Sequence, residues 1–240
     1  MVLFGGRLEP LTCAIGFLNA PAGEVALALQ GFIDRLPTLE KGRVAPVSGS
    51  LEQCLLQLQP LTIGYRPRIL LASTRAPGWT AIFDADALGH GVGERTAMLA
   101  GTIMKTRGYF FCSIRPKKEA PGQLGGCQFR VLGPEKRLGF VRSVNLIENT
   151  PGHWYFEARG PVQSFEDEAA YRRRRKSERL TQQMLVDYAA AVGLRPWEED
   201  FYTGPYWIAS NDLTATAKCS YTLEQARQRL GLSTEPPATT

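Results

Sequence analysis

The chain reads as an α+β protein built on a largely antiparallel sheet, with a βαβα-like N-terminal part and one long covering helix. Three observations predict this. Four strand-like runs follow one another between residues 109 and 158, parted by stretches rich in Gly, Pro or charge. Residues 13–58 alternate short apolar runs with helical stripes. The stretch 164–192 opens on a helix start signal and carries apolar residues at helical spacing in its second half.

In order, 13–18 (CAIGFL) is a buried strand. Pro21 then stands at the first position of a helix whose stripe is Val25, Leu29, Phe32, Ile33 and Leu36, with Pro37 as its stop. Residues 43–47 form a short strand, and Ser50 with Gln53 makes a capping box for a helix carrying Leu51, Cys54, Leu55 and Leu58. The runs 68–73 and 79–84 flank Pro77-Gly78 and predict a hairpin. Gly89, Gly91 and Gly93 open a helix carrying Met98, Leu99 and Ile103. The four runs that follow predict a meander with a longer, mobile loop at 116–126. Phe129 and Val131, and Arg142, Val144 and Leu146 set against Val141, Ser143 and Asn145, predict one covered face and one partly wet face.

The 164–192 segment is the predicted cover. Ser164 and Asp167 have the form of a capping box, and Glu166, Asp167 and Glu168 suit the positive end of a helix dipole. Leu180, Met184, Leu185, Tyr188 and Val192 form the buried stripe, Gly193 fits the left-handed stop, and Thr181 offers a second N-cap with a break near 177–181. Farther on, residues 206–209 read as one more strand. Thr222 with Gln225 is a third capping box, for a helix that ends at Gly231. The whole is one domain over 1–232, or two similar lobes at 1–107 and 108–232, with a disordered tail at 233–240.

At 240 residues the chain can bury a full core, and a net charge of +5 argues only weakly for a polyanionic partner. The N-terminus lacks the basic start and apolar core of a signal peptide, and no apolar run nears the roughly 20 residues of a membrane span. Five scattered cysteines with no CxxC pair fit reduced thiols in a cytoplasmic protein. No spacing of His or Cys supports a metal site, and no motif calls for a cofactor.

Three constellations compete for a function. The first, Trp197, Glu198, Glu199, Asp200, Tyr202, Tyr206 and Trp207, joins polar-edged aromatics to acids, as a contact surface for a protein partner would. The bland alternative is aromatics packing the covering helix onto the sheet. The second is the loop with Asp84, Asp86 and His90, where the glycine turn 89–93 could hold a phosphate and the acids or His90 could move a proton. Simple turn chemistry explains the same residues. The third is the basic run Arg172, Arg173, Arg174, Arg175 and Lys176, which reads either as a solvated, salt-bridged helix or as a patch for phosphates. Flanking acids and the lack of interleaved aromatics count against nucleic acid.

The run LGFVRSVNLIENTPGHWYFEARGPVQSFEDEAAYRRRRKSERLTQQMLVDYAAAVGLRPWEEDFY, with WTAIFDADALG upstream and YTLEQARQRLG downstream, resembles a family of bacterial proteins of similar length to which no activity is assigned. Small bacterial proteins of this kind are often found beside secreted toxins as cytoplasmic immunity proteins. The resemblance implies a non-catalytic toxin inhibitor that occludes its target's active site. An enzyme acting on a nucleotide or small phosphorylated substrate through the 84–93 loop is the alternative, and nucleic-acid binding through 172–176 is the third reading.

Overall fold

The structure is a computed structural model that describes residues 2–35, 42–64, 67–115, 124–135, 139–211 and 219–232. The predicted tail at 233–240, Leu36, Pro37 and most of the loop at 116–126 lie outside the described residues.

One sheet of nine strands runs through both halves of the chain, and every pairing in it is antiparallel. Its strands are β1 (Ala14–Asn19), β2 (Arg43–Val47), β4 (Arg68–Thr74), β5 (Trp79–Asp84), β6 (Gly108–Ile114), β7 (Gly126–Leu132), β8 (Arg142–Thr150), β9 (His153–Arg159) and β10 (Tyr202–Ser210). They lie in the order β2-β10-β4-β5-β1-β6-β7-β8-β9. Two short strands, β3 (Leu61–Thr62) and β11 (Ser220–Tyr221), pair apart from it. The hairpin β4–β5 and the meander β6–β9 stand where the sequence places them. The βαβ-like start is a crossover between strands of like direction that are not neighbours. β1 and β2 have β5, β4 and β10 between them.

The helices are α1 (Ala22–Ile33), α2 (Leu51–Leu56), α3 (Val92–Met98), α4 (Gln182–Ala191) and α5 (Leu223–Arg229). Local chemistry sets several of their ends. Ser50 and Thr222 each accept from the backbone three residues on, while Gln53 and Gln225 reach back to the cap N–H, completing both capping boxes. Pro21 is the extended residue before α1 rather than its first helical residue. After α3 the chain continues as a wider turn of π-helix, Leu99–Met104.

Each face of the sheet buries its own cluster. On one face α1, α3 and the π-helical turn after it bring Val25, Leu29, Val92 and Leu99 against Leu18, Ile82 and Phe110. On the other, α2, α4 and α5 with the N-terminal turn cover Phe17, Phe83, Phe111 and Phe129. Burying each such ring contributes about 1.5–3 kcal/mol against leaving it in water.

The long covering helix is the main correction. Residues 164–180 are not helical apart from short 3-10 turns at Ala170–Arg172 and Lys176–Glu178, and the helix proper is α4. The reason is a competitor from far along the chain. Glu166, which would have sat in the first helical turn, turns inward to Arg142 of β8, and the backbone follows. Thr181 is the true N-cap, accepting from Met184 N at 3.2 Å, and Gly193 adopts φ 77° beyond the helix. Leu180, Met184, Leu185 and Tyr188 are buried as their spacing predicts.

Candidate functional site: an uncovered face of the sheet

The α1/α3 layer ends over β7, where Leu132 joins its cluster and Arg130 lies against Gly93, and beyond that border no described helix covers this face of β7–β9. Cross-strand registers lay out its rows. One row runs Gly126, Ile147, Tyr155; the next Gln128, Asn145, Glu157; the next Arg130, Ser143, Arg159. Alternation sends the neighbouring residues Phe129, Val144 and Leu146 to the covered face. Polar groups on the open side hold one another: Arg130 donates to Gln128 Oε1 at 3.0 Å, Asn145 to Ser143 Oγ at 2.9 Å and Tyr155 to Glu157 Oε1 at 2.9 Å. Arg130 marks the border of the helix layer, its guanidinium 4.2 Å from the centre of the Phe140 ring and 5.0 Å from that of Phe110. Burial there lowers its pKa.

Within this polar field the apolar residues stand out. Ile147 is 37% and Tyr155 49% exposed, and the two face each other directly across β8 and β9. Leu124, 39% exposed, lies two residues before Gly126 at the same end. The sequence signal for this face is the alternation at 141–146. Nothing in it marked Tyr155 as accessible.

The opposite side of the same strands is fixed by a buried polar network. Arg142 grips Glu166 with Nη2 to Oε2 at 2.6 Å and donates Nη1 to the Gly160 carbonyl at 2.8 Å; the two side chains are 3% and 0% exposed. Tyr171 donates to Glu166 at 2.8 Å and meets the Tyr188 hydroxyl at 3.0 Å, which in turn accepts from Asp167 N at 2.9 Å. Burial raises the pKa of both tyrosines, so both stay neutral hydroxyls. This arrangement clamps 160–188 onto the sheet, and every group in it has a structural task.

The sequence-predicted sites fall elsewhere. Trp197, Tyr202 and Tyr206 are buried in the core, and Trp207 is half-buried against Gly23 of α1. Tyr202 donates its hydroxyl to the Pro196 carbonyl at 2.5 Å. Glu198 pairs with Arg195 at 2.7 Å, and Asp200 lies 3.9 Å from Arg75. Glu199 is exposed. The acids thus reach the surface without the aromatic anchors expected beside them.

Asp84, Asp86 and His90 do come together, in a loop held by its own hydrogen bonds. Asp86 Oδ2 accepts from His90 N at 2.8 Å and Gly91 N at 2.9 Å, capping the approach to α3, and lies 3.9 Å from His90 Nδ1. Asp84 accepts from Asp86 N at 3.2 Å and stands 3.9 Å from Arg95. Gly89 has φ 81°, and a side chain there would meet Pro10 Cβ at 3.0 Å, so glycine is required for the turn itself. A pocket of about 380 Å³ is lined by Ser220, Tyr221, Gln225, Gln228 and Arg229, and another of about 80 Å³ lies between α4 and Trp197. Among the described residues no three His, Cys, Asp or Glu side chains are grouped to hold a metal ion. Burial raises the thiol of Cys13, that of Cys112 and that of Cys127, the last to about 11, which keeps them protonated near neutral pH.

Three of the five cations in the basic run are paired. Arg172 pairs with Glu168 at 3.0 Å, Arg173 with Asp167 at 3.9 Å and Arg175 with Glu178 at 2.9 Å. Arg174 and Lys176 are exposed and meet no carboxylate among the described residues. No described helix is long and apolar enough to cross a membrane. No family model, curated protein or solved structure matches the chain.

Proposed function

We propose that this chain is a non-catalytic protein-binding protein that engages its partner through the uncovered face of β7–β9. The observation that carries the reading is the exposed Ile147–Tyr155 pair on a sheet face that no described helix covers. An apolar anchor ringed by polar groups is the usual anatomy of a protein contact. The 197–207 stretch has its aromatics in the core and supplies only a charged rim. The 84–91 acids are engaged in holding their own loop, which favours binding over turnover. Neutralising a bacterial toxin is the specific form that the family resemblance suggests.

A photo-crosslinking residue in place of Tyr155, compared with one in place of Glu52 on α2, whose side chain is 36% exposed, tests the reading in native cells. One adduct protein formed from position 155 and not from 52 is the expected result. Equal or absent adducts at both positions overturn it. If the adduct protein is toxic when expressed alone, restored growth on co-expression supports the immunity form, and continued toxicity counts against that form.

A further inference from the structure

Beyond the open face lies an open edge, and the chemistry around it selects an occupant. β9 is the last strand of the sheet, and among the described residues nothing pairs with its outer side. Alternate residues of an antiparallel edge strand turn N–H and C=O groups outward, where only water or another extended chain can meet them. β9 spans seven residues, HWYFEAR, with no proline to interrupt the ladder. The register shift at this hairpin falls between Glu148 and Thr150, on the partner strand β8, so the extra residue is not in β9 itself. Its own charges are spent on each other, Arg159 on Glu157 at 2.5 Å.

The surroundings of this edge are basic. The turn Lys176–Glu178 packs against β9, and Arg179 stacks over Phe156 with its guanidinium carbon 5.5 Å from the ring centre. After the pairs Arg172–Glu168, Arg173–Asp167 and Arg175–Glu178, the cations Arg174, Lys176 and Arg179 have no carboxylate among the described residues. A second copy of this chain would bring another such cluster to the same edge and meet like charge.

We infer that β9 accepts an extended, acidic segment of a partner protein as a tenth strand, its backbone completing the ladder and its carboxylates lying against the 174–179 cations. The inference rests on the protein-binding reading and names the chemistry of what is bound. Backbone pairing supplies affinity without regard to sequence, while the cations supply the preference for acid.

The test uses the full chain and short synthetic peptides alternating Val with Glu or Val with Lys, read by hydrogen exchange of the 153–159 amides. The Glu peptide slows alternate amides of β9 and leaves those of β2 unchanged; the Lys peptide slows neither set. Arg174→Glu with Lys176→Glu, both at exposed unpaired positions, weakens the Glu peptide roughly tenfold, and added salt weakens it for the wild type. Unprotected β9 amides at saturating Glu peptide overturn the inference, as does equal protection by both peptides. Oligothymidine that binds through the same cations while β9 exchanges freely overturns it in favour of a nucleic-acid patch. A Tyr155 adduct in cells with no β9 protection by the peptide sinks the edge while leaving the face. Loss of both sinks the two together.

Discussion

At one end of the sheet, β2 presents an outer side already occupied. Its Val44 N–H donates to Gln30 Oε1 of α1 at 2.7 Å, and Gln30 Nε2 reaches the Gly42 carbonyl at 3.4 Å. Pro46, two residues on and so facing the same way, has no N–H to offer. At the other end, β9 carries no proline, no side-chain cap and no covering strand among the described residues. One chain therefore protects one edge twice and, among the described residues, leaves the other bare. Edge protection is available to this fold, so its absence at β9 is informative. An exposed ladder favours aggregation unless something is meant to occupy it.

The two ends also differ in what holds them, and that difference is where the comparison breaks most easily. The β2 end is covered by the apolar stripe of α1, the β9 end by a segment fastened through Arg142 and Glu166. Arg142→Met leaves Glu166 charged and buried, and should lower unfolding stability by about 3–5 kcal/mol. A urea titration measures this, and β9 amides should show the earliest loss of protection. An unchanged midpoint would mean that the pair lies open to water.

The same clamp predicts an alkaline weakness. Burial, followed by their mutual contact and Glu166, raises Tyr171 above its ordinary value of 10.0, and burial raises Tyr188. Above pH 10 the unfolded chain loses protons that the folded chain keeps, so stability falls as pH rises, by about 1.4 kcal/mol per pH unit for each tyrosine held neutral. Thermal unfolding between pH 9 and about 11 should show the fall, and Tyr188→Phe should flatten it.

Opening the protected edge is the complementary experiment. Gln30→Leu strands the Val44 N–H at a cost of about 1–2 kcal/mol. Joined with Pro46→Thr, it should make the chain self-associate through β2, which sedimentation would detect. A strictly monomeric double variant would show that the two devices are not what keeps that edge closed. The smallest expected effect on stability is at Tyr155. Tyr155→Ala should shift it by no more than about 0.5 kcal/mol, yet remove capture of the partner. A large loss of stability there would recast the open face as part of the core.

What the sequence discloses follows the range of the interactions. Ser50 with Gln53 and Thr222 with Gln225 act across three residues, and both boxes form as written. The hairpins β4–β5 and β8–β9 are equally local. The 164–180 segment fails as a helix because the partner of Glu166 is Arg142, 24 residues upstream, a choice that no spacing within the segment records. Its charges suit a helix and an irregular clamp equally well. Of the candidate site, only the polar side of β8 was legible, from Ser143 and Asn145. That β9 ends the sheet depends on strand order, which no local pattern contains. The burial of Trp197, Tyr202 and Tyr206 was hidden for the same reason, since an aromatic cluster looks alike whether it faces a partner or the core.

The placing of β10 between β2 and β4 has a consequence for the chain as it is made. Ribosomal synthesis delivers β2 and β4 long before residues 202–210, so the nascent polypeptide must carry two strands whose shared neighbour does not yet exist. The half that includes β5, β1 and the meander can pair as it emerges. The outermost strand has to wait, and the final strand that seats it acts as a keystone, so arrested translation before residue 202 should yield a product that chaperones retain.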